Sequence, residues 1–211
     1  MNHEKITVLG ICGRSGSGKG YVCGVFNQFG IPSIDTDSVY KSLVTGCGDA
    51  PSPCLMEITD AFGKGVLNEN GDLNKSALAD IVFAPGNASR LKQLNAITHK
   101  HIKEKTLQTI DLLADAGNSA ALIDAPVLFE SGFDRLCDLK FYVRAPLELS
   151  VKRICARDGI TEDHARRRLN AQMSDSALQA LCDGVIENDG IADVRMQVAE
   201  IIQRFSLNRQ P

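Results

Sequence analysis

Eight residues near the N-terminus, Gly13-Arg14-Ser15-Gly16-Ser17-Gly18-Lys19-Gly20, carry the strongest chemical signal in the chain. Glycines permit the positive φ angles that turn successive N–H groups toward an anion. A helix opening at such a turn adds the positive end of its dipole, and a lysine adds a full charge between terminal phosphates. The pattern predicts a phosphate-binding loop. One position departs from it. Loops of this kind place Ser or Thr directly after the lysine as a ligand for Mg²⁺, whereas Gly20 and then Tyr21 stand here. Either Mg²⁺ is held through water and phosphate oxygens or activity is lowered or lost, so the motif speaks for nucleotide binding more strongly than for catalysis. Arg14 could add a second positive charge beside the phosphates or point outward.

Acids and arginines extend the set. Asp35 and Asp37 close a short apolar run, where ligands bind in open α/β sheets. Asp37 either accepts the proton of an attacking hydroxyl, a role worth ~10²–10⁴ in rate, or caps the next helix. Asp124 ends the run Ala-Leu-Ile-Asp, as an acid organising Mg²⁺ would, or as an ordinary strand-end acid. Arg153 and Arg157 lie four apart on one helical face, with Arg166, Arg167 and Arg168 beyond Gly159. Such a segment could close over a nucleotide as a lid, although most of the triplet reads as a solvated face. His99 and His101 point to different sides of a helix and make a poor metal pair.

These residues need a scaffold, and the pattern supplies one. Short apolar runs alternate with longer amphipathic ones, as in βαβ units around a parallel sheet. Strands are predicted at Ile6–Ile11, Ile31–Ile34, Ala120–Ile123, Leu139–Val143 and Gly184–Glu187. Helical patterns cover Lys19–Phe29, with Gly30 as its C-terminal cap, then Leu55–Phe62, Lys75–Phe83, Ala88 to about Ala116, a start at Pro146, and Ile191–Phe205. Gly46–Pro53 reads as a loop. The block of helices about 46–116 is expected to form a lobe beside the sheet, and about 152–173 a lid, within a single domain.

Composition narrows the class. With 23 Lys and Arg against 26 Asp and Glu, the formal charge is −3 and gives no global pull toward nucleic acid or anionic lipid. The chain lacks Trp, which argues against a base-stacking platform. No stretch is long and apolar enough to span a bilayer, and Met1–Lys5 runs into a strand without a leader pattern. A cytoplasmic location follows as an expectation. The cysteines at 12, 23, 47, 54, 137, 155 and 182 show no Cys-x-x-Cys pair and read as reduced thiols, most of them in the core.

With these residues placed, the chain resembles the dephospho-coenzyme A kinase family over nearly its whole length. The resemblance rests on Gly16-Ser17-Gly18-Lys19, Phe29 through Asp37, Phe62-Gly63, Gly71 through Lys75, Leu94 through His99, Pro126-Val127-Leu128-Phe129-Glu130, Arg153, Arg157-Asp158, Gln172 and Val185 through Asn188. It implies an α/β, three-layer P-loop fold of the nucleoside-monophosphate-kinase type, with a five-stranded parallel sheet, a helical acceptor-binding lobe and a lid. It also implies transfer of the ATP γ-phosphoryl to the ribose 3′-hydroxyl of dephospho-CoA, the last step of coenzyme A biosynthesis, with Mg²⁺. Asp37 matches the family's proposed general base, Lys19 its phosphate-binding lysine and Arg157 its lid arginine. ATP is expected on Gly13 through Tyr21 and Arg157, and the acceptor on Asp35, Asp37, His99, Pro126, Leu128, Phe129 and Glu130. The expected state is a monomer or weak homo-oligomer.

The chain departs from the family's usual Thr-Gly-Gly-Ile-Gly-Ser-Gly-Lys-Ser/Thr at Cys12, Arg14, Ser15 and Gly20. It also departs at Lys100 in place of proline, at Tyr40 and Lys41 where an arginine is usual, and at Leu178 in place of a basic residue. It reads as a divergent member. Two other readings stand beside the kinase: one for another nucleoside-like or small-alcohol acceptor, and a nucleotide-binding relative with weakened or lost catalysis.

Overall fold

The computed structural model describes residues 6–45 and 50–207. Met1–Lys5, Cys47 and the first half of the Gly46–Pro53 loop lie outside the described residues. The chain divides into two compact units, Met1–Asp35 with Ile110–Pro211, and Thr36–Thr109.

The first unit is built on β1 (Thr7–Gly13), β2 (Ser33–Asp35), β3 (Ala120–Asp124), β4 (Leu139–Arg144) and β5 (Gly184–Glu187). They form a parallel sheet in the order β2-β3-β1-β4-β5. A central strand buried on both faces reads as a continuous apolar run, and Val8, Leu9, Ile11 and Cys12 are all buried. One face is covered by α1 (Lys19–Gln28) and α9 (Val194–Arg204), whose Val22, Phe26, Val198 and Ile202 pack onto Leu9, Leu122, Phe141 and Ile186. On β1 itself, Gly10 is approached so closely that an added Cβ would lie 2.7 Å from Cys137 Sγ and 3.0 Å from Leu128. The remaining helices of this unit are α6 (Leu147–Asp158), α7 (Glu162–Asn170) and α8 (Asp175–Ala180); Val151 and Ile154 of α6 pack on Ala165 and Leu169 of α7.

The second unit contains α2 (Thr36–Val44), α3 (Pro53–Phe62), α4 (Lys75–Val82) and most of α5 (Ala88–Asp115). Its own core gathers Val44, Leu55, Ile58, Leu73, Leu78 and Ile97. Local chemistry sets its helix starts. Ser52 Oγ accepts from Leu55 N at 3.0 Å, and Asn74 Oδ1 accepts from Ala77 N at 3.0 Å.

Several boundaries differ from the sequence reading, each for a local reason. β1 runs two residues further, to Gly13, because β4 keeps pairing with it through Val143. Asp37 does not end the second strand: pairing stops at Asp35 opposite Asp124, and Asp37 falls in the first turn of α2. A carboxylate suits that turn. Pro146 precedes α6 instead of opening it, its carbonyl accepting from Ser150 N at 2.9 Å. The last helix starts at Val194, since Asp189 holds the N–H groups of Ile191 and Ala192 in a turn and Asp193 caps Met196.

Candidate active site

Between β1 and α1 the chain makes a tight loop around an open helix start. Gly16 and Gly18 have φ of +75° and +83°. A Cβ at Gly16 would strike the Ser150 carbonyl, and one at Gly18 the Asn188 side-chain amide. Glycine is therefore required at both places by conformation and by space. The loop's carbonyls are held from outside. Asn188 Nδ2 donates to Ser17 O at 2.7 Å, while one Arg153 nitrogen donates to Gly16 O at 3.3 Å and Ser17 O at 3.2 Å. Gly18 caps α1 with no side-chain bond, and the first turn has no acid, so the helix offers its N–H groups to an anion. Ser17 is 2% exposed, and its Oγ is buried without a hydrogen-bond partner.

Lys19 forms an ion pair with Asp124, both side chains being about 15% exposed. Asp124 and Asp35 are register partners at the C-terminal ends of β3 and β2. β1 ends beside them, and the carboxyl ends of strands are where open α/β sheets bind ligands. Cys23 on α1 points at the same acid, Sγ to Oδ2 at 3.5 Å, and burial pushes its thiol up to about 11. Gly20 lies in α1 with nothing within 4 Å of an added Cβ. Tyr21 is largely exposed and lines a cavity of 380 Å³ with Gly18, Arg153 and Asn188.

The basic segment is organised by its own acids. Arg157 makes a two-pronged bond to Asp158, at 2.7 and 3.0 Å, and Arg168 joins the same carboxylate. The two guanidinium groups hold the Asp158 carboxyl well below the usual range. Arg14 is turned to α7 and α8: its guanidinium donates to Asp175 at 2.8 Å and to Leu169 O at 2.7 Å. Tyr142 donates its hydroxyl to the same Asp175 at 2.9 Å, and Ser15 N donates to Gln172 Oε1 at 3.0 Å. Burial works to raise the Asp175 carboxyl, but Arg14 and Tyr142 together hold it below its ordinary value. The structure brings Gly13 and Arg14 together with Pro126, Leu128, Phe129 and Glu130 around a cavity of 170 Å³.

The other two predicted residues belong to the helical unit. Asp37 is exposed in the first turn of α2, and His99 is half-buried on α5, where burial lowers its pKa and favours the neutral ring. Its neighbours are tied down: Lys100 Nζ and His101 Nε2 both lie 2.7 Å from Glu57 Oε2. Among the described residues, Asp175 and Tyr142 are the partners that sequence reasoning did not single out, and Gln172 stood in the motif series without a role. Arg153 and Asn188 stood in the motif series, but their grip on the loop carbonyls had no signal in spacing.

A glycine loop at the end of the central strand, a lysine paired with a strand-end acid and a sheet of this order define a P-loop nucleotide-binding kinase. A family model described as dephospho-CoA kinase matches residues 7–193. The dephospho-CoA kinase of Bacillus licheniformis is 34% identical over 200 residues, covering 94% of this chain and 96% of the relative. A solved dephospho-CoA kinase from Campylobacter jejuni superposes with a TM-score of 0.67 at 28% identity, covering 94% and 96% of the two chains. The structure of TT1252 from Thermus thermophilus gives a TM-score of 0.79 at 26% identity, covering 98% of this chain and all of that one. The chain belongs to the dephospho-CoA kinase family. Among the described residues, no helix is long and apolar enough to cross a membrane.

Proposed function

We propose that this protein transfers the γ-phosphoryl group of ATP to the ribose 3′-hydroxyl of dephospho-CoA, in the cytoplasm and without a nucleic-acid or membrane partner. The reading is carried by the phosphate loop, with Gly13, Gly16, Gly18 and Lys19 in place, beside a strand-end carboxylate pair in a chain of this family. Lys19 exchanges Asp124 for the β- and γ-phosphate oxygens. Arg157 likewise exchanges Asp158 for phosphate as charge moves onto the leaving ADP. Asp37 takes the proton of the 3′-hydroxyl as the new O–P bond forms and the bond to the bridging oxygen of ADP breaks. Pro126, Leu128, Phe129 and Glu130, with His99 and Asp35, are assigned to the acceptor. The cavity beside Gly18 and Tyr21 is assigned to the base of ATP.

The donor set fits Mg²⁺. Asp35 and Asp124 are hard oxygen ligands side by side at the strand ends, and the empty space at Gly20 supplies no hydroxyl. Asp124 and Asp35 would hold the ion together with waters and phosphate oxygens. When bound, Mg²⁺ neutralises charge between the β- and γ-phosphates.

ADP release from ATP, measured with and without dephospho-CoA over a range of Mg²⁺, tests the assignment. Release that depends on dephospho-CoA is expected. Release that follows a different alcohol, or none despite ATP binding, overturns it.

A further inference from the structure

Cys12 and Cys182 are 170 positions apart in the chain, yet their Sγ atoms lie 3.5 Å apart. Cys12 is the last residue but one of β1, in register with Tyr142 of β4 and directly before Gly13 of the phosphate loop. Cys182 stands in the turn between α8 and β5. There Asp183 N donates to Lys140 O at 2.7 Å, and the Asp183 carboxylate accepts from Lys140 N at 2.7 Å. Strand β4 therefore positions both thiols. Elsewhere among the described residues, Cys23 faces Asp124 and Cys137 faces the Phe133 carbonyl. Cys12 is buried, while Cys182 is half-buried and is the more accessible of the two.

We propose that Cys12 and Cys182 form a reversible disulfide that disables the phosphate loop, a modification site whose oxidant is hydrogen peroxide. An S–S bond of ~2.05 Å requires the sulfurs to approach by roughly 1.5 Å from their present contact. The two sulfurs are not equivalent. The contact between the two thiols lowers the Cys182 pKa and raises that of Cys12, with burial adding to the rise at Cys12. Around the pair, Lys140 favours the Cys182 thiolate and Asp183 opposes it, while Lys19 and Glu130 act on Cys12 in opposite directions.

The Cys182 thiolate attacks one peroxide oxygen, the O–O bond breaks, and hydroxide leaves a sulfenic acid on Cys182. That hydroxide takes the Cys12 proton and becomes water. The Cys12 sulfur then attacks the sulfenic sulfur, the S–O bond breaks, and the departing hydroxide is protonated by solvent. In sum, two thiols and one peroxide give one disulfide and two waters, with two electrons passing from sulfur to oxygen.

The consequence reaches the loop from two sides. Gly13 has no slack, since a Cβ there would lie 2.5 Å from Ser17 Oγ and 3.1 Å from Val143 O. A pull on Cys12 is therefore passed into the turn. A pull on Cys182 acts on the end of α8, whose Asp175 holds Arg14.

The test treats the reduced full chain with hydrogen peroxide, alkylates the remaining thiols, and maps peptides by mass alongside an ATP titration. Expected are a linked Cys12–Cys182 peptide lacking two hydrogens, and an apparent ATP affinity lower by about tenfold. Dithiothreitol should restore that affinity. Cys182→Ser should bind ATP as the reduced wild type does and keep that affinity after peroxide. Alkylation of both cysteines after peroxide overturns the proposal, as does a linked peptide with unchanged affinity, or loss of affinity in Cys182→Ser. If that variant does not fold, the wild-type mass map and titration decide alone. The loss of affinity rests on ATP binding by the loop, whereas the bond does not. A reduced chain that binds no ATP therefore overturns the functional reading and the regulatory half of this one, while the mass map still decides the bond.

Discussion

Gly16, Gly18 and Gly20 stand within five residues of one another and carry different constraints. At Gly16 and Gly18 a side chain meets the Ser150 carbonyl or the Asn188 amide, so alanine at either should abolish ATP binding in a direct titration. Gly20 is open. Gly20→Ser should fold normally and lower the Mg²⁺ concentration needed for half-maximal turnover by several-fold, read from ADP release across a metal series. An unchanged metal requirement would mean that Asp35, Asp124 and water already complete the site. Asp37→Asn should reduce kcat by ~10²–10⁴ while leaving the KM for ATP nearly unaltered. The loop was legible in sequence because its chemistry is local, with Gly13, Gly16, Gly18 and Lys19 close together where a strand passes into a helix. The partners of its side chains were not. Arg14 meets Asp175 across 161 positions, and no spacing rule links the two.

At the scale of elements, the phosphate loop is fastened by what surrounds it. Arg153 and Asn188 hold its carbonyls, Gln172 holds Ser15, and α8 is tied to Arg14 through Asp175. Arg14→Ala should raise the KM for ATP more than it lowers kcat. Its cost in stability should be about 1 kcal/mol, at the low end because the Asp175 carboxylate is half exposed and screened. The pH dependence follows from the lowered Asp175 value. The folded-state pKa lies below the unfolded one, so this carboxylate contributes stability above its ordinary range and loses it as pH falls through the lowered value. The Tm gap between wild type and Asp175→Asn should be present at pH 7 and close on acidification below about pH 4. Helix and strand existence was largely legible, because period and caps are written in the chain. The short α8 was not read, six residues being too few to show a period. The change from strand to helix at Thr36 escaped as well, because the partner β3 and not the local sequence ends the pairing.

For the molecule as a whole, each unit keeps a core of its own, and Phe26 and Ile58 are fully buried in the two. Phe26→Ala should cost about 3–5 kcal/mol and Ile58→Ala about 2–5, measured by denaturant titration. The fold class was legible from the alternation of patterns. That the chain leaves the sheet unit between Asp35 and Thr36 was not, since the residues on both sides are polar and short. The pairing of the site's cations has a consequence for how fast a nucleotide arrives. Lys19 already faces Asp124, Arg157 faces Asp158 and Arg14 faces Asp175, in a chain whose net charge is −3. A polyanion approaching from solution meets these three cations as ion pairs, and with a net charge of −3 little long-range field draws it in. Its encounter should run at an unsteered rate, roughly 10⁵–10⁷ M⁻¹s⁻¹, and change little with ionic strength. On the proposed roles, discrimination then falls to the slower step in which Lys19 and Arg157 trade a carboxylate for a phosphate.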